Sequence, residues 1–193
     1  METKLTQNFT KGTEKKIGFI IHGTLGNYEG AVDWLYQPCS TRNPVTYSSA
    51  HYVIAKNGRC TQLVKNEDVA WHSGSVSNPT SEAKAVLPKT ILGTYKNPNI
   101  SFIGIELEWF VGDVVTEAQY VAMGQIIATS GISNPVLLTH RQITDYKSDF
   151  IKNGLTDLTV LEELKRRLSP PVTNVKEQIN KKMVELQELI NKI

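Results

Sequence analysis

The sequence predicts an α/β fold in which a mixed central β-sheet is flanked by helices, followed by a C-terminal amphipathic helix. Short apolar runs that are typical of buried strands alternate along the chain with segments of helical periodicity. Two of these runs are joined by a strong hairpin turn, as expected for neighbouring antiparallel strands. With 193 residues, the chain is long enough for one well-buried domain and a short appendage.

The first half of the chain supplies three predicted strands and one predicted helix. Residues 17–21 form a continuous apolar run, which predicts a short buried strand. Apolar residues at helical spacing then predict a helix at 28–36. Residues 49–55 alternate as a strand does, and the turn sequence Lys-Asn-Gly-Arg at 56–59 leads into a further strand at 60–64.

The segment that follows combines a loop with a strand that carries acidic residues. Residues 75–99 are rich in Ser, Pro, Asn and Lys, which predicts a long exposed connection that frames a binding cleft. In the strand predicted at 101–108, period-two alternation places aliphatic side chains on one face and Glu106 and Glu108 on the other.

The last third of the domain is predicted to hold two helices and one strand. Thr116 and Gln119 have the spacing of a capping box and predict the start of a helix that runs to Thr129. Its predicted apolar face consists of Val121, Met123, Ile126 and Ile127. A short strand is predicted at 136–138, and Thr156-Asp157 can cap a last domain helix. The predicted inward-pointing residues of that helix are Leu158, Leu161, Leu164 and Leu168.

Composition excludes several classes of function. A net charge of +2 without any basic block argues against nucleic-acid binding. Cys39 and Cys60 are too few for a disulfide framework, and we expect two reduced, partly buried thiols. The polar N-terminal sequence lacks the apolar core of a signal peptide, and no run approaches transmembrane length. We therefore expect a protein that is made in the cytoplasm.

Polar side chains at two predicted strand ends form a candidate metal site. His22 and His140 each follow an apolar strand directly, and Lys147 and Asp149 lie in the loop after His140. Side chains at a strand end are held by the scaffold while they remain accessible. Two histidines and one carboxylate are a suitable ligand set for an open metal site.

The carboxylate of Glu106 needs an explanation because its strand is otherwise apolar. Burying a lone carboxylate is costly, so it requires a partner or a function. A structural salt bridge with Lys147 is one explanation, and a catalytic acid or base beside a metal is the other. Asp149 has a similar alternative as the salt-bridge partner of Lys147.

Five motifs occur in an order that resembles a known family. They are His22 after Phe19-Ile20-Ile21, Ser49-Ala50-His51-Tyr52-Val53-Ile54, Ala70-Trp71-His72-Ser73-Gly74, Gly104-Ile105-Glu106-Leu107, and Thr139-His140-Arg141 with Lys147-Ser148-Asp149. Together they resemble the zinc-dependent type 2 N-acetylmuramoyl-L-alanine amidases, which share their fold with the peptidoglycan recognition proteins. The resemblance covers about residues 16–168. One departure is that Phe150-Ile151 stands where the family commonly has Pro-Gly.

The resemblance implies a role for each candidate residue. His22, His140 and Asp149 would bind Zn²⁺, which leaves a fourth position for water and lowers the pKa of that water to about 7. Glu106 would be the general base, and Lys147 would stabilise the oxyanion. The bond cut would join the lactyl group of N-acetylmuramic acid to L-alanine in bacterial peptidoglycan.

Three further residues and several alternatives accompany this reading. His51, His72 and Trp71 are candidates for substrate contact, although either histidine could be a polar core residue and Trp71 could be core or cleft wall. The same ligand set occurs in non-haem Fe(II) oxygenases, but the surrounding motifs argue against that use. A binding module that recognises peptidoglycan without cutting it has no need of the two catalytic residues. Within the amidases, we expect a phage or prophage endolysin that reaches the cell wall after release, because a C-terminal appendage joined by a Pro-Pro linker is typical of lysins. A cytosolic muropeptide-recycling enzyme is the alternative.

The C-terminal tail is expected to be separate from the catalytic domain at 1–168. A Pro-rich linker at 169–171 ends the last domain helix. Residues 172–193 carry aliphatic residues at heptad spacing over about three heptads, which is marginal for a lone helix in water. We expect this amphipathic helix to bury its stripe in a homo-oligomeric coiled coil.

Self-association through the tail is testable by mass. Sedimentation equilibrium over a wide concentration range should give a mass that rises above the 21.5 kDa of one chain. Leu186→Glu, on the stripe, should lower that mass, whereas Asn180→Glu, off the stripe, should leave it unchanged. A monomer mass that does not depend on concentration would contradict the coiled-coil prediction.

Overall fold

A computed structural model describes residues 1–147, 149–150, 157–169, 182–185, 187 and 190. The described strands are β1 (Glu2–Thr3), β2 (Phe9–Thr10), β3 (Gly18–Gly23), β4 (Tyr52–Ile54), β5 (Cys60–Gln62), β6 (Val69–Ala70), β7 (Phe102–Leu107) and β8 (Val136–Thr139). The described α-helices are α1 (Tyr28–Tyr36), α2 (Ser81–Val86), α3 (Pro98–Ser101), α4 (Glu117–Thr129), α5 (His140–Ile143) and α6 (Asp157–Leu168). A 3₁₀ turn follows α1 at Cys39–Thr41.

Six of the described strands form one mixed sheet in the order β1-β5-β4-β7-β3-β8. The β4–β5 hairpin is its antiparallel pair, and the other neighbours run parallel. Strands β2 and β6 pair separately as a short antiparallel ribbon. The predicted α/β fold with a mixed central sheet and flanking helices is confirmed.

One face of the sheet packs against α4 and α6. Alternate residues of the central strands supply this face, including Phe19, Ile21 and Ile105, and they contact Met123 of α4 and Leu164 of α6. The capping box predicted at the start of α4 is present, because Thr116 and Gln119 exchange hydrogen bonds. This face forms an apolar core, and the candidate site residues His22 and Glu106 lie on the opposite face of the sheet.

The opposite face packs against α1, α2 and α5. Ile20 and Phe102 lie on this face and contact apolar residues of α2 and α5, while Val53 packs beneath α1. Because side chains alternate along a strand, His22 shares the face of Ile20, and Glu106 shares the face of Phe102. The polar residues at the strand ends are thereby collected on one side of the sheet.

Several predicted side-chain positions on the helices are wrong. Val121 of α4 and Leu158 of α6 are each about half exposed, and Leu168 is 38% exposed. In α6 the buried residues among those described are Val160, Leu161 and Leu164, so the buried stripe is rotated toward Val160 and away from Leu158. Single exposed aliphatic residues are common on soluble proteins.

The long connection at 75–99 is more ordered than expected. It contains α2, whose Ala83 is fully buried, and a short bridge between Lys89 and Tyr95. The segment is exposed at its tip, where Ile91 and Leu92 face solvent. The expectation of an exposed connection therefore holds only for the middle of the segment.

Two other expectations can be compared with the described residues. Cys39 and Cys60 are free thiols and both are buried. None of the described helices combines the length and the apolar character needed to cross a membrane. Most of the linker at 169–171 and of the helix predicted at 172–193 lies outside the described residues.

Candidate metal centre

Three adjacent strands of the sheet bring the predicted site residues to one edge. Strand β3 lies between β7 and β8 and runs parallel to both, so their carboxyl ends meet. His22 is in register with Glu106 of β7. His140 follows Thr139, which pairs with Ile21, so it also lies beside His22.

The third candidate ligand, Asp149, reaches this edge from a loop that is anchored in the core. Phe150 is fully buried, and its ring contacts Trp109 edge-to-face with centroids 5.7 Å apart. Gly23 makes room for this segment, since a Cβ atom there would lie 3.0 Å from the backbone oxygen of Asp149. Phe150, which replaces the usual proline of the resembling family, therefore serves as a hydrophobic anchor directly after the ligand.

The three candidate ligand atoms form a compact triangle. Nδ1 of His22 lies 3.1 Å from Nδ1 of His140 and 3.1 Å from Oδ2 of Asp149. The third side, from Nδ1 of His140 to Oδ2 of Asp149, is 3.3 Å. The side chains of His22, His140 and Asp149 are only 3%, 10% and 14% exposed, respectively. Apart from a narrow opening, the triangle is screened from water.

Hydrogen bonds to the other ring nitrogens assign the tautomers. Nε2 of His140 lies 3.1 Å from the backbone oxygen of Ser73, and Nε2 of His72 lies 3.4 Å from that of Phe102. A carbonyl oxygen can only accept, so both Nε2 atoms carry the proton. Nδ1 of His72 is then an acceptor, and Nε2 of His22, 3.1 Å away, donates to it.

These tautomers direct three lone-pair atoms at a common point. With their protons on Nε2, His22 and His140 both present a bare Nδ1, and Asp149 adds a carboxylate oxygen. Tetrahedral zinc with bonds of about 2.0–2.1 Å to nitrogen and oxygen has ligand-to-ligand edges of about 3.3 Å. The observed sides match those edges, so the donor set fits a zinc ion.

The protonation equilibria of the triangle favour metal-binding forms. Burial lowers the pKa of His22, which keeps its imidazole neutral. Burial opposes the charged form of Asp149, but the two imidazoles beside its carboxylate outweigh burial and hold the pKa of Asp149 well below its usual range. Neutral imidazole and ionised carboxylate are the forms that bind metals.

Glu106 lies beside the triangle and is partly buried. Burial, followed by the nearby charge of Asp149, raises the pKa of Glu106 to about 8. Among the residues that the structure describes, no group forms a hydrogen bond or an ion pair with its carboxylate. An unpaired carboxylate with a raised pKa beside a possible metal is typical of functional sites.

Lys147 is exposed, and its position does not support the structural alternatives. Its backbone N–H donates to Thr144, and its charge contributes to the lowered pKa of His22. In the described part of the chain, Lys147 forms no ion pair with Glu106 or Asp149. A salt bridge to Lys147 therefore does not account for either carboxylate.

Comparison with known proteins identifies the family. Residues 14–150, more than half of the chain, match the family described as N-acetylmuramoyl-L-alanine amidase. The chain belongs to this family. The enzymes of this amidase family are typically zinc-dependent, in agreement with the possible metal site formed by His22, His140 and Asp149.

Relatives and solved structures of amidases agree with this assignment. The 1,6-anhydro-N-acetylmuramyl-L-alanine amidase AmpD of Haemophilus influenzae is 34% identical over 96 residues, which are 50% of this chain and 41% of that protein. The chain thus matches less than half of the length of this relative. A crystal structure of a selenomethionine AmpD derivative has a TM-score of 0.58 at 20% identity and covers 84% of this chain and 93% of that one. A mutant endolysin from Bacillus subtilis has a TM-score of 0.53 at 17% identity, covering 87% and 97%. At these identities the structural likeness shows the fold.

The three residues predicted to contact substrate, His51, Trp71 and His72, differ in burial and in hydrogen-bond partners. His51 has no exposed surface, and burial, followed by the charge of Lys16, lowers its pKa to about 3. It accepts a hydrogen bond from Gly104 N–H and donates to the backbone of Asp68, as the alternative of a polar core histidine requires. The structure therefore places His51 in the position of the polar-core alternative, and substrate contact by His51 stays an untested prediction.

Trp71 and His72 are neighbours that point in different directions. Trp71 is partly exposed, donates from Nε1 to Thr10 and packs edge-to-face on Tyr47. His72 is 9% exposed and lies behind His22. The contact of His72 is thus with a candidate metal ligand.

A cleft of about 530 Å³ opens beside Glu106 in this amidase-family fold. Its walls include Trp34 of α1 and Phe110, which are 39% and 43% exposed. Within the described residues its lining comes from segments 23–48 and 106–110, and residues 75–99 do not contribute to it. Residues 75–76 and 94–97 line a separate cavity of about 510 Å³, so their role in framing a binding cleft stays a prediction. Trp34 was indistinguishable in sequence from a core residue of an amphipathic helix, and so its position on the cleft was missed.

The ligand triangle predicts a specific dependence of zinc binding on Asp149. Asp149→Asn removes the anionic oxygen, and we expect zinc affinity, measured by competition with a chromophoric chelator, to fall at least about 100-fold. Asp145→Asn changes an exposed carboxylate of the same loop that accepts from Asn78, so it should leave the affinity unchanged. Equal affinities in the two variants would contradict the proposed ligand set.

Proposed function

We propose that this protein is a zinc-dependent amidase that hydrolyses the bond between N-acetylmuramic acid and L-alanine of bacterial peptidoglycan. The observation that carries the proposal is the convergence of three lone-pair atoms beside the unpaired carboxylate of Glu106. Membership of the amidase family supplies the substrate class. A binding module would have no use for an unpaired carboxylate next to such a ligand set.

The proposed metal ligands are Nδ1 of His22, Nδ1 of His140 and a carboxylate oxygen of Asp149. When bound there, Zn²⁺ would supply Lewis acidity and make a water molecule acidic near neutral pH. Burial lowers the pKa of His22 and so holds its imidazole in the neutral form, and hydrogen bonds at Nε2 orient both rings. The same burial limits access by bulk water.

Glu106 is the proposed general base. Its carboxylate would take a proton from the attacking water while the water oxygen bonds to the amide carbon. As the carbon–nitrogen bond breaks, Glu106 would deliver that proton to the nitrogen of L-alanine, so the carboxylate is regenerated. A nearby divalent cation favours the ionised form and would lower the pKa of Glu106 from its metal-free value of about 8.

Lys147 is the proposed oxyanion stabiliser. Its exposed side chain is unpaired within the described residues, and its charge is already felt at His22. An ammonium group near the metal site would stabilise negative charge as it develops on the amide oxygen. A comparable donor contributes about 3–4 kcal/mol to transition-state stabilisation.

The cleft beside Glu106 is the proposed substrate site. Trp34 and Phe110 provide apolar walls, while Thr24, Asn27 and Ser48 add polar groups. A concave site that combines apolar surface with a few polar groups is the usual form of a small-molecule site.

The physical form of the substrate distinguishes two biological roles. We favour polymeric peptidoglycan and cell-wall lysis, since the fold is shared with an endolysin and an appended tail follows the domain in sequence. The AmpD relative is named as an amidase of 1,6-anhydro-N-acetylmuramyl-L-alanine, which supports a soluble recycled muropeptide as the second candidate.

Glu106→Gln tests the reaction. Turnover of peptidoglycan should fall about 10²–10⁴-fold while bound zinc is retained, because only the proton-transfer group is lost. Glu108→Gln is the matched control, because Glu108 follows β7 directly and its carboxylate accepts from the Lys56 backbone; this variant should keep near wild-type turnover. Release of stem peptides with a free N-terminal L-alanine would be followed by mass spectrometry.

Two outcomes of the same assay would overturn the proposal. Wild-type turnover by Glu106→Gln would remove Glu106 as the base. Zinc binding and sacculus binding by the wild type without any released peptide would favour the recognition module. Parallel reactions on sacculi and on soluble anhydromuropeptide compare the two roles, and faster cleavage of the soluble substrate would favour recycling.

A further inference from the structure

One short stretch of backbone stands behind both candidate histidine ligands. Nδ1 of His72 accepts a hydrogen bond from Nε2 of His22 at 3.1 Å. The backbone oxygen of the next residue, Ser73, accepts from Nε2 of His140 at 3.1 Å. Both acceptors are buried. Each ligand imidazole is therefore held at its distal nitrogen by one of two consecutive residues.

His72 cannot easily rotate away from this position. Its own Nε2 donates to Phe102, and its ring lies directly on Gly104 of β7. A Cβ atom at position 104 would lie 2.4 Å from Cγ of His72, well inside van der Waals contact. Glycine is thus required at 104 for the ring to approach the sheet this closely.

Asn99 fixes the backbone of the same two residues. Its buried Oδ1 accepts from the N–H groups of His72 and Ser73 at 3.2 and 2.9 Å, and from the Ser73 hydroxyl at 2.8 Å. The preceding residue, Trp71, is held by its N–H to the hydroxyl of Ser49. One amide oxygen with three donors leaves the 72–73 peptide little freedom to turn.

The consequence for the ligands is a choice of tautomer and of ring orientation. A ring flip of His22 or His140 would break the bond at Nε2 and leave a buried polar atom unpaired. With the bonds intact, only Nδ1 of each ring can face the centre of the triangle. Hydrogen bonds to the distal nitrogen of a metal-binding imidazole commonly change metal affinity 10–100-fold.

We propose that His72 and Ser73, clamped by Asn99, are positioning residues that set the tautomer and orientation of both histidine ligands. This inference rests on the proposed metal site and assigns to His72 a role other than substrate contact. His72 and Asn99 act through His22 and His140, and neither needs to touch substrate.

Two substitutions at position 72 distinguish the effect of losing the hydrogen-bond acceptor from the effect of changing the size of the side chain. Asn places its Oδ1 where Nδ1 of histidine lies, so His72→Asn keeps an acceptor for His22. His72→Leu is similar in size to Asn but offers no acceptor. Zinc affinity, measured by chelator competition, should fall about 10–100-fold in the Leu variant and stay within about threefold of wild type in the Asn variant.

A spectroscopic measurement reports the tautomer without any metal. Long-range ¹H–¹⁵N correlation spectra of the metal-free protein should show His22 and His140 with the proton on Nε2. His22 should become a mixture of tautomers in His72→Leu and return to the Nε2–H form in His72→Asn. A general loss of stability would not produce this pattern.

Two substitutions of Asn99 provide an independent test if His72→Leu does not fold. Asn99→Asp keeps Oδ1 as an acceptor, whereas Asn99→Leu removes it. Zinc affinity should fall about tenfold or more only in the Leu variant. Circular dichroism would establish that each variant is folded.

The outcomes separate this inference from the proposed function. A folded wild type that binds no zinc would overturn the metal site itself. Wild-type zinc affinity in both Leu variants, or an unchanged His22 tautomer in His72→Leu, would overturn the positioning role and leave the metal site intact.

Discussion

The structure depends on the close approach of three lone-pair atoms at the edge of the sheet. Nδ1 atoms of His22 and His140 lie 3.1 Å apart and share a carboxylate oxygen of Asp149 as neighbour. A buried acceptor without a partner costs about 1–3 kcal/mol, so such a cluster is unfavourable unless a cation occupies its centre. The surrounding hydrogen bonds at Nε2 hold both imidazole rings in the orientation that directs Nδ1 at this centre.

The fold supplies this arrangement through simple rules of sheet geometry. Parallel neighbours end at the same edge, so a histidine at the end of β3 meets one after β8 and a carboxylate late in β7. Side-chain alternation sends one set of apolar residues to the α4–α6 core and places His22 and Glu106 on the opposite face, beyond Ile20 and Phe102. Phe150 is buried in the core, and its burial holds the preceding residue, Asp149, at the same edge of the sheet.

Sequence alone predicted the sheet and the convergence of the strand-end residues, since both follow from periodicity and parallel register. It did not predict which aliphatic residues of a helix face the core. Val121, for example, is half exposed, because the rotation of a helix about its axis depends on tertiary packing. The roles of the Ser73 carbonyl and of Asn99 were also invisible. A backbone oxygen carries no sequence signal, and an asparagine before a strand looks like an ordinary loop residue. His51 and His72 each lie in one of the five family motifs, yet only the structure places His51 in the core and His72 against a candidate ligand.

The most direct measurement is a crystal structure of zinc-loaded protein with anomalous data collected on both sides of the zinc absorption edge. The account predicts one zinc peak about 2.0–2.2 Å from Nδ1 of His22, Nδ1 of His140 and a carboxylate oxygen of Asp149. Coordination through Nε2 atoms would contradict it. The absence of any peak at this edge of the sheet, with a proton shared between the two imidazoles, would contradict it equally.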